Sequence, residues 1–221
     1  MQLHMRCTEY SCNKMSISAN CEQCERNPVL AEEILKDPMT TWWEETAQSP
    51  VELKEVSENS TEYEEVNGLF RLTSRGMSIT KLERVENPYL LGHYLMKKEK
   101  MRSEGSYPSE RSLFHGTFEK YVSDICKYNF DWRKCGNSRG HKFGQGVSFA
   151  PEVSYARHYT TYGEDVMILT KVLVSKDIVG SSSTVVPPAP YDTTKNIKNT
   201  VIVKYDDDDF YPQYVIHFKR F

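Results

Sequence analysis

Three runs near the C-terminus are dense in β-branched and aromatic residues: VMILTKVLVS from Val166, TVIVKY from Thr200 and YVIHFKRF from Tyr214. Side chains of this kind fit the pleated, half-buried surface of a strand, so the chain is committed to a sheet. The last two runs flank DDDDFYPQ, which predicts an antiparallel hairpin with Asp206 to Asp209 as its solvated tip. No strand and helix patterns alternate in βαβ fashion. The expected class is therefore α+β, with mainly antiparallel sheets and flanking helices.

Helical patterns lie upstream. STEYEEVNGLF reads as a helix with Thr61 as N-cap, Glu64 three residues on, and Val66, Leu69 and Phe70 on one face. ITKLERVEN fits a strand or a helix. NPYLLGHYLMKKEKMR is a helix opened by an Asn87 cap with Pro88 at the first position, where its missing N–H costs nothing. RSLFH reads as a strand. FEKYVSDICKYNF places Val122, Ile125, Cys126 and Phe130 at helical spacing, with Gly116 and Thr117 joining the two elements.

Residues 1–38 are set apart from 39–221. They carry four of the six cysteines, Cys7, Cys12, Cys21 and Cys24, with few large apolar side chains. Two readings stand there: a tetrahedral thiolate site for zinc, which would stabilise a segment lacking a core, or a tail with ordinary thiols. Only the CEQC half has a familiar spacing.

The first ten residues lack the apolar stretch of a secretion signal, and no apolar run approaches the roughly 20 residues that span a bilayer. The expectation is an intracellular protein, in the nucleus or cytoplasm, without a membrane partner. A net charge of −3 carries no global footprint for nucleic acid, and KKEKMR reads as a solvated helix end. No repeat or heptad run assigns an oligomeric state.

In GHKFGQGVSFA, three glycines lead into a short apolar run that contains Ser148, which reads as a loop feeding a strand. Five stretches together, LFHGT (113–117), NFDWRKCG (129–136), FGQGVSFA (143–150), SYARHY (154–159) and YPQYVIHF (211–218), resemble the catalytic domain of the poly(ADP-ribose) polymerase family in order and spacing, specifically its mono-ADP-ribosyltransferase branch. EYEEVNGLF and KLERVENPYLLGHYLMKKEKM extend the resemblance upstream, so that it covers about residues 39 to 221.

The resemblance implies a diphtheria-toxin-like fold that binds NAD+ in a cleft and transfers ADP-ribose to acceptor proteins, with nicotinamide as leaving group. It implies that His115 hydrogen-bonds ribose hydroxyls, that the Gly116 backbone pairs with the carboxamide, and that Tyr159 stacks on the nicotinamide ring. Gly144 and Gly146 would edge the site. Arg133, Lys134, Arg139, His141 and Lys142 would contact phosphate, or else form a solvated loop.

Three positions depart from the family pattern. Ser148 stands where an aromatic packs on the nicotinamide ribose, and Ala156 where a serine bonds the carboxamide; together these amount to roughly 2 to 5 kcal/mol of lost NAD+ binding. Val201 stands where polymer-forming members have a glutamate, so chain elongation is not expected. Two readings follow: a mono-ADP-ribosyltransferase, or a pseudoenzyme that keeps the fold as an interaction module. A third is a zinc-dependent RNA or protein binder acting through residues 1–38.

Overall fold

A computed structural model describes residues 36–43, 51–131, 142–161, 163 and 165–221. Among the described residues nine strands are formed: β1 (Glu52–Glu55), β2 (Met77–Glu86), β3 (Ser109–Thr117), β4 (Val147–Phe149), β5 (Val166–Val174), β6 (Asp177–Val179), β7 (Thr193–Lys195), β8 (Ile202–Lys204) and β9 (Phe210–Arg220). A five-stranded sheet in the order β1-β2-β9-β5-β3 is antiparallel throughout. A smaller sheet has the order β4-β8-β7-β6, in which only β6 and β7 run parallel. The mainly antiparallel α+β class agrees with the sequence reading.

The helices are α1 (Thr61–Arg71), α2 (Pro88–Ser103), α3 (Glu119–Tyr128) and the single turn α4 (Val153–Ala156). The cap of α1 is Ser60, not Thr61: Ser60 is the residue with extended backbone, and its hydroxyl accepts from the Tyr63 N–H at 3.1 Å. Val66 and Phe70 are buried as expected, but Leu69 turns to solvent at 43% exposure. The Asn87 cap holds, its Oδ1 accepting from the Leu90 N–H at 3.1 Å. ITKLERVEN lies in β2 up to Glu86, and a register shift between Ile79 and Lys81 breaks the two-residue alternation and leaves its pattern ambiguous.

The expected hairpin does not form. TVIVKY supplies β8 in the small sheet, YVIHFKRF lies in β9 in the large one, and the aspartates carry the chain from one sheet to the other. A buried cation is the reason. Lys204, with a fully buried side chain, places Nζ 2.8 Å from Asp192 and 3.1 Å from Asp209, drawing Asp209 out of solvent to 3% exposure. That burial pushes the Asp209 carboxyl up to about 6, against the pull of Lys204. Asp206 is tied to Lys97 of α2 at 2.6 Å, so the turn is strapped on its outer side as well.

Apolar side chains fill both faces of the large sheet, with Phe70, Met167 and Ile216 in one cluster and Ile168, Phe149, Ile202 and Phe210 in another. Buried Arg84 binds Glu62 at 2.7 Å and Glu86 at 2.6 Å, while the Tyr214 hydroxyl donates to Glu62 at 2.9 Å, which anchors α1 on β2 and β9. A reciprocal backbone pair joins the two sheets: Phe114 and Ala150 exchange N–H···O bonds of 2.8 Å in both directions. That seam sets the position of the cleft. No helix among the described residues is long and apolar enough to cross a membrane.

Candidate active site

Along the seam opens a cleft of ≈ 860 Å³, walled by the end of β3, by β4, by α3 and by the segment from Tyr155 to Thr160. This is within the size range of sites for small ligands. It is the place where His115, Gly116, Ser148, Ala156, Tyr159, Val201, Gly144 and Gly146 are brought together, although they span almost ninety positions of sequence.

His115 follows Phe114 on β3, and Ser148 lies two residues before Ala150, so the Phe114–Ala150 pair sets them side by side. The imidazole Nδ1 is 2.9 Å from the Ser148 carbonyl oxygen. A carbonyl can only accept, so Nδ1 carries the proton and Nε2 keeps its lone pair for an incoming hydroxyl. Rings enclose the imidazole: Phe130 meets it edge-on at 4.8 Å and Phe149 stands at 5.8 Å. Their burial of the ring lowers the His115 pKa below its ordinary value, outweighing the Ser148 bond that raises it.

Gly116 has a structural reason of its own. A methyl group added there would collide with the Ala156 carbonyl oxygen, so α4 packs directly on the β3 backbone. Ala156 itself is 1% exposed, in the core cluster with Phe114 and Met167. Tyr159 ends the short 3-10 turn that continues α4 and remains 40% exposed in the cleft wall, its ring 6.1 Å from that of Tyr155.

Ser148 is exposed in an otherwise buried β4, its side chain directed into the cleft where an aromatic was expected to be missing. Val201 is 4% exposed at the cleft floor, just before β8. At Gly144, φ is +138° and any side chain would collide with the Tyr205 hydroxyl, so this glycine serves the protein's own packing while also edging the cleft.

Arg133, Lys134, Arg139 and His141 lie outside the described residues, and Lys142 is exposed. Cys7, Cys12, Cys21 and Cys24 also lie outside them, and among the described residues no group of three or more His, Cys, Asp or Glu converges as a metal site. Sequence reasoning missed the far side of the cleft, where Tyr121, Asp124, Tyr128, Asn129 and Phe130 line the wall from α3 onward. The exposed stripe of Tyr121, Asp124 and Tyr128 was visible as helical spacing, but its partner across the cleft was not.

A family model described as the poly(ADP-ribose) polymerase catalytic domain matches residues 60–209. A mouse protein named "Protein mono-ADP-ribosyltransferase PARP12" is 34% identical over 192 residues, covering 80% of this chain and 27% of its own length. Its human namesake is 36% identical over 176 residues, covering 74% of this chain and 25% of its own. Mouse "Protein mono-ADP-ribosyltransferase PARP11" is 29% identical over 239 residues, covering 92% of this chain and 69% of its own. The chain thus spans about a quarter of the length of the first two relatives.

Proposed function

Because the chain belongs to the poly(ADP-ribose) polymerase catalytic-domain family, we propose that it cleaves NAD+ and transfers a single ADP-ribose unit to side chains of acceptor proteins. The relatives' names support the single transfer. One observation carries the reading to the residues: His115, with Nδ1 held by the Ser148 carbonyl, and Tyr159 share one cleft of dinucleotide size.

Tyr159 offers its ring to the pyridinium and Gly116 its backbone to the carboxamide, while His115 Nε2 accepts from a ribose hydroxyl. In the reaction the glycosidic C1′–N bond breaks and its electron pair leaves with neutral nicotinamide. The ribose carbon passes through an oxocarbenium-like state, as in glycoside cleavage. An acceptor oxygen or nitrogen then bonds to C1′ and gives its proton to solvent. Positioning and electrostatics supply the acceleration. Val201 offers neither a base nor a hydrogen bond to a second ribose, which favours one transfer over chain growth.

The test is incubation with NAD+ and mixed cell proteins, with nicotinamide release measured alongside mass spectrometry of the products. Single ADP-ribose adducts, lost in His115→Ala, are expected. NAD+ binding without nicotinamide release would replace this reading with that of a pseudoenzyme.

A further inference from the structure

Asn129 is a buried, non-glycine residue at φ 71°, ψ 177°, a region that glycine alone populates readily, so its surroundings must hold it there. Four hydrogen bonds do so. Its Nδ2 donates to the Asp207 carbonyl at 2.8 Å and to the Phe210 carbonyl at 3.2 Å. Its backbone N–H donates to Ile125 O at 2.9 Å, and its Oδ1 accepts from the Phe130 N–H at 3.0 Å. The residue is thereby clamped between the end of α3 and the start of β9.

The clamp sets the direction in which the chain leaves the helix. Phe130, the next residue, is 4% exposed and stands edge-on to three rings: His115 at 4.8 Å, Phe149 at 5.3 Å and Phe210 at 5.5 Å. A single hydrogen bond from Nδ1 to Ser148 leaves the imidazole able to swing about that bond. The Phe130 ring, packed against the imidazole at an interplanar angle of 65°, blocks that swing.

We propose that Asn129 and Phe130 are positioning residues for the transfer reaction, the strained turn pressing Phe130 against His115 so that Nε2 faces the cleft in one orientation. This rests on the NAD+ transferase reading above. Neither residue need touch the dinucleotide; both act through the imidazole. Strain of this kind persists only where the surroundings over-determine it, and here the over-determined turn ends against His115 in the seam.

The test compares the parent chain with Phe130→Leu, which keeps apolar volume but removes the ring edge, and with Asn129→Gly, which tolerates the same backbone but removes the side-chain tethers. Imidazole nitrogen NMR and the kinetic constants for NAD+ are measured on each. The parent is expected to show His115 as one Nδ1–H tautomer. Phe130→Leu should mix the tautomers and raise the KM for NAD+ about 2- to 3-fold, less than removal of the imidazole itself, with a smaller effect on kcat, since slight misplacement of an orienting group weakens productive binding. Asn129→Gly should move both readouts the same way, by less.

A purely structural role would lower the melting temperature and leave the tautomer unchanged. A folded Phe130→Leu with the parental His115 spectrum and KM overturns the proposal; should that variant not fold, the same result from Asn129→Gly, which keeps the Phe130 ring and tolerates the parental backbone conformation, overturns it. If the parent chain fails to bind NAD+, the transferase reading falls, and the imidazole spectra alone decide the positioning role.

Discussion

His115 and Ser148 belong to different sheets, yet the imidazole of one donates to the backbone carbonyl of the other across 2.9 Å. The hydroxyl of Ser148 takes no part in this bond. The main chain at this position orients the histidine whatever side chain it bears, while the side chain faces the cleft, so a substitution there alters the wall without releasing His115.

The pH dependence of NAD+ binding follows from the enclosure of that ring. Burial lowers the His115 pKa from 6.5, so the imidazole is neutral at physiological pH and stays so somewhat below that value. NAD+ affinity, measured by calorimetry across a pH series, is expected to hold constant on acidification through 6.5 and to fall only below it. In the unfolded chain His115 takes its proton at the ordinary value. Its contribution to stability is therefore complete above that pH and is lost as pH drops through the lowered folded value. His115→Ala should weaken binding about 3- to 10-fold at neutral pH, as expected for one hydrogen bond. An affinity transition centred at or above 6.5 in the parent would contradict the assignment.

Ser148→Tyr should tighten NAD+ binding. The side chain points into open cleft, so a larger ring meets no core packing there. A gain of roughly 3- to 30-fold in Kd corresponds to one aromatic contact plus its buried area. Titration of both proteins under identical conditions reads it directly, and equal or weaker binding by the tyrosine variant would show that this wall does not meet the ligand.

Gly116→Ala should unsettle fold and site together. The added methyl would strike the Ala156 carbonyl, so α4 must move away from β3, carrying Tyr159 with it. Overpacking of this kind costs about 1 to 3 kcal/mol. For a chain of this size that lowers the melting temperature by roughly 2 to 10 °C. Loss of NAD+ binding with an unchanged melting temperature would mean that Gly116 serves the ligand alone.

Lys204→Met should be among the most damaging single changes outside the cleft. Removing this buried ammonium leaves buried Asp209 with Lys97 at 3.9 Å as its nearest cation and takes the cation from Asp192, which keeps the Ser175 and Lys176 N–H groups; breaking such a pair costs about 3 to 5 kcal/mol. The loss depends on pH. Asp209 already titrates near 6 in the folded protein against 3.8 as its ordinary value, so the folded state gains stability from this group as pH falls through that window. Without Lys204 its carboxyl rises further, and the destabilisation measured by urea unfolding should be smaller near pH 5 than near pH 8. The opposite order would remove Asp209 from the account.

Local chemistry was readable from the sequence wherever the signal lay within a few residues. Asn87 and Pro88 announced α2, and the β-branched run from Val166 announced β5. Pairing was not readable. TVIVKY and YVIHFKRF look like hairpin partners because they are adjacent, but their separation depends on Lys204, a lysine that reads as solvent-facing until its carboxylates are placed. Likewise the motif residues marked the cleft by resemblance. The Asn129 clamp was hidden because its partners, Asp207 and Phe210, lie nearly eighty positions away.

The large sheet places β9, the last strand in sequence, between β2 and β5. During translation β2 emerges early and β5 well after it, and each must wait with an unsatisfied edge for the same late partner. The Tyr214 hydroxyl and the backbone of Phe210, which complete the α1 anchor and the Asn129 clamp, arrive with that partner. A nascent chain lacking β9 would thus display two unpaired strand edges, open to pairing with other chains until that strand arrives.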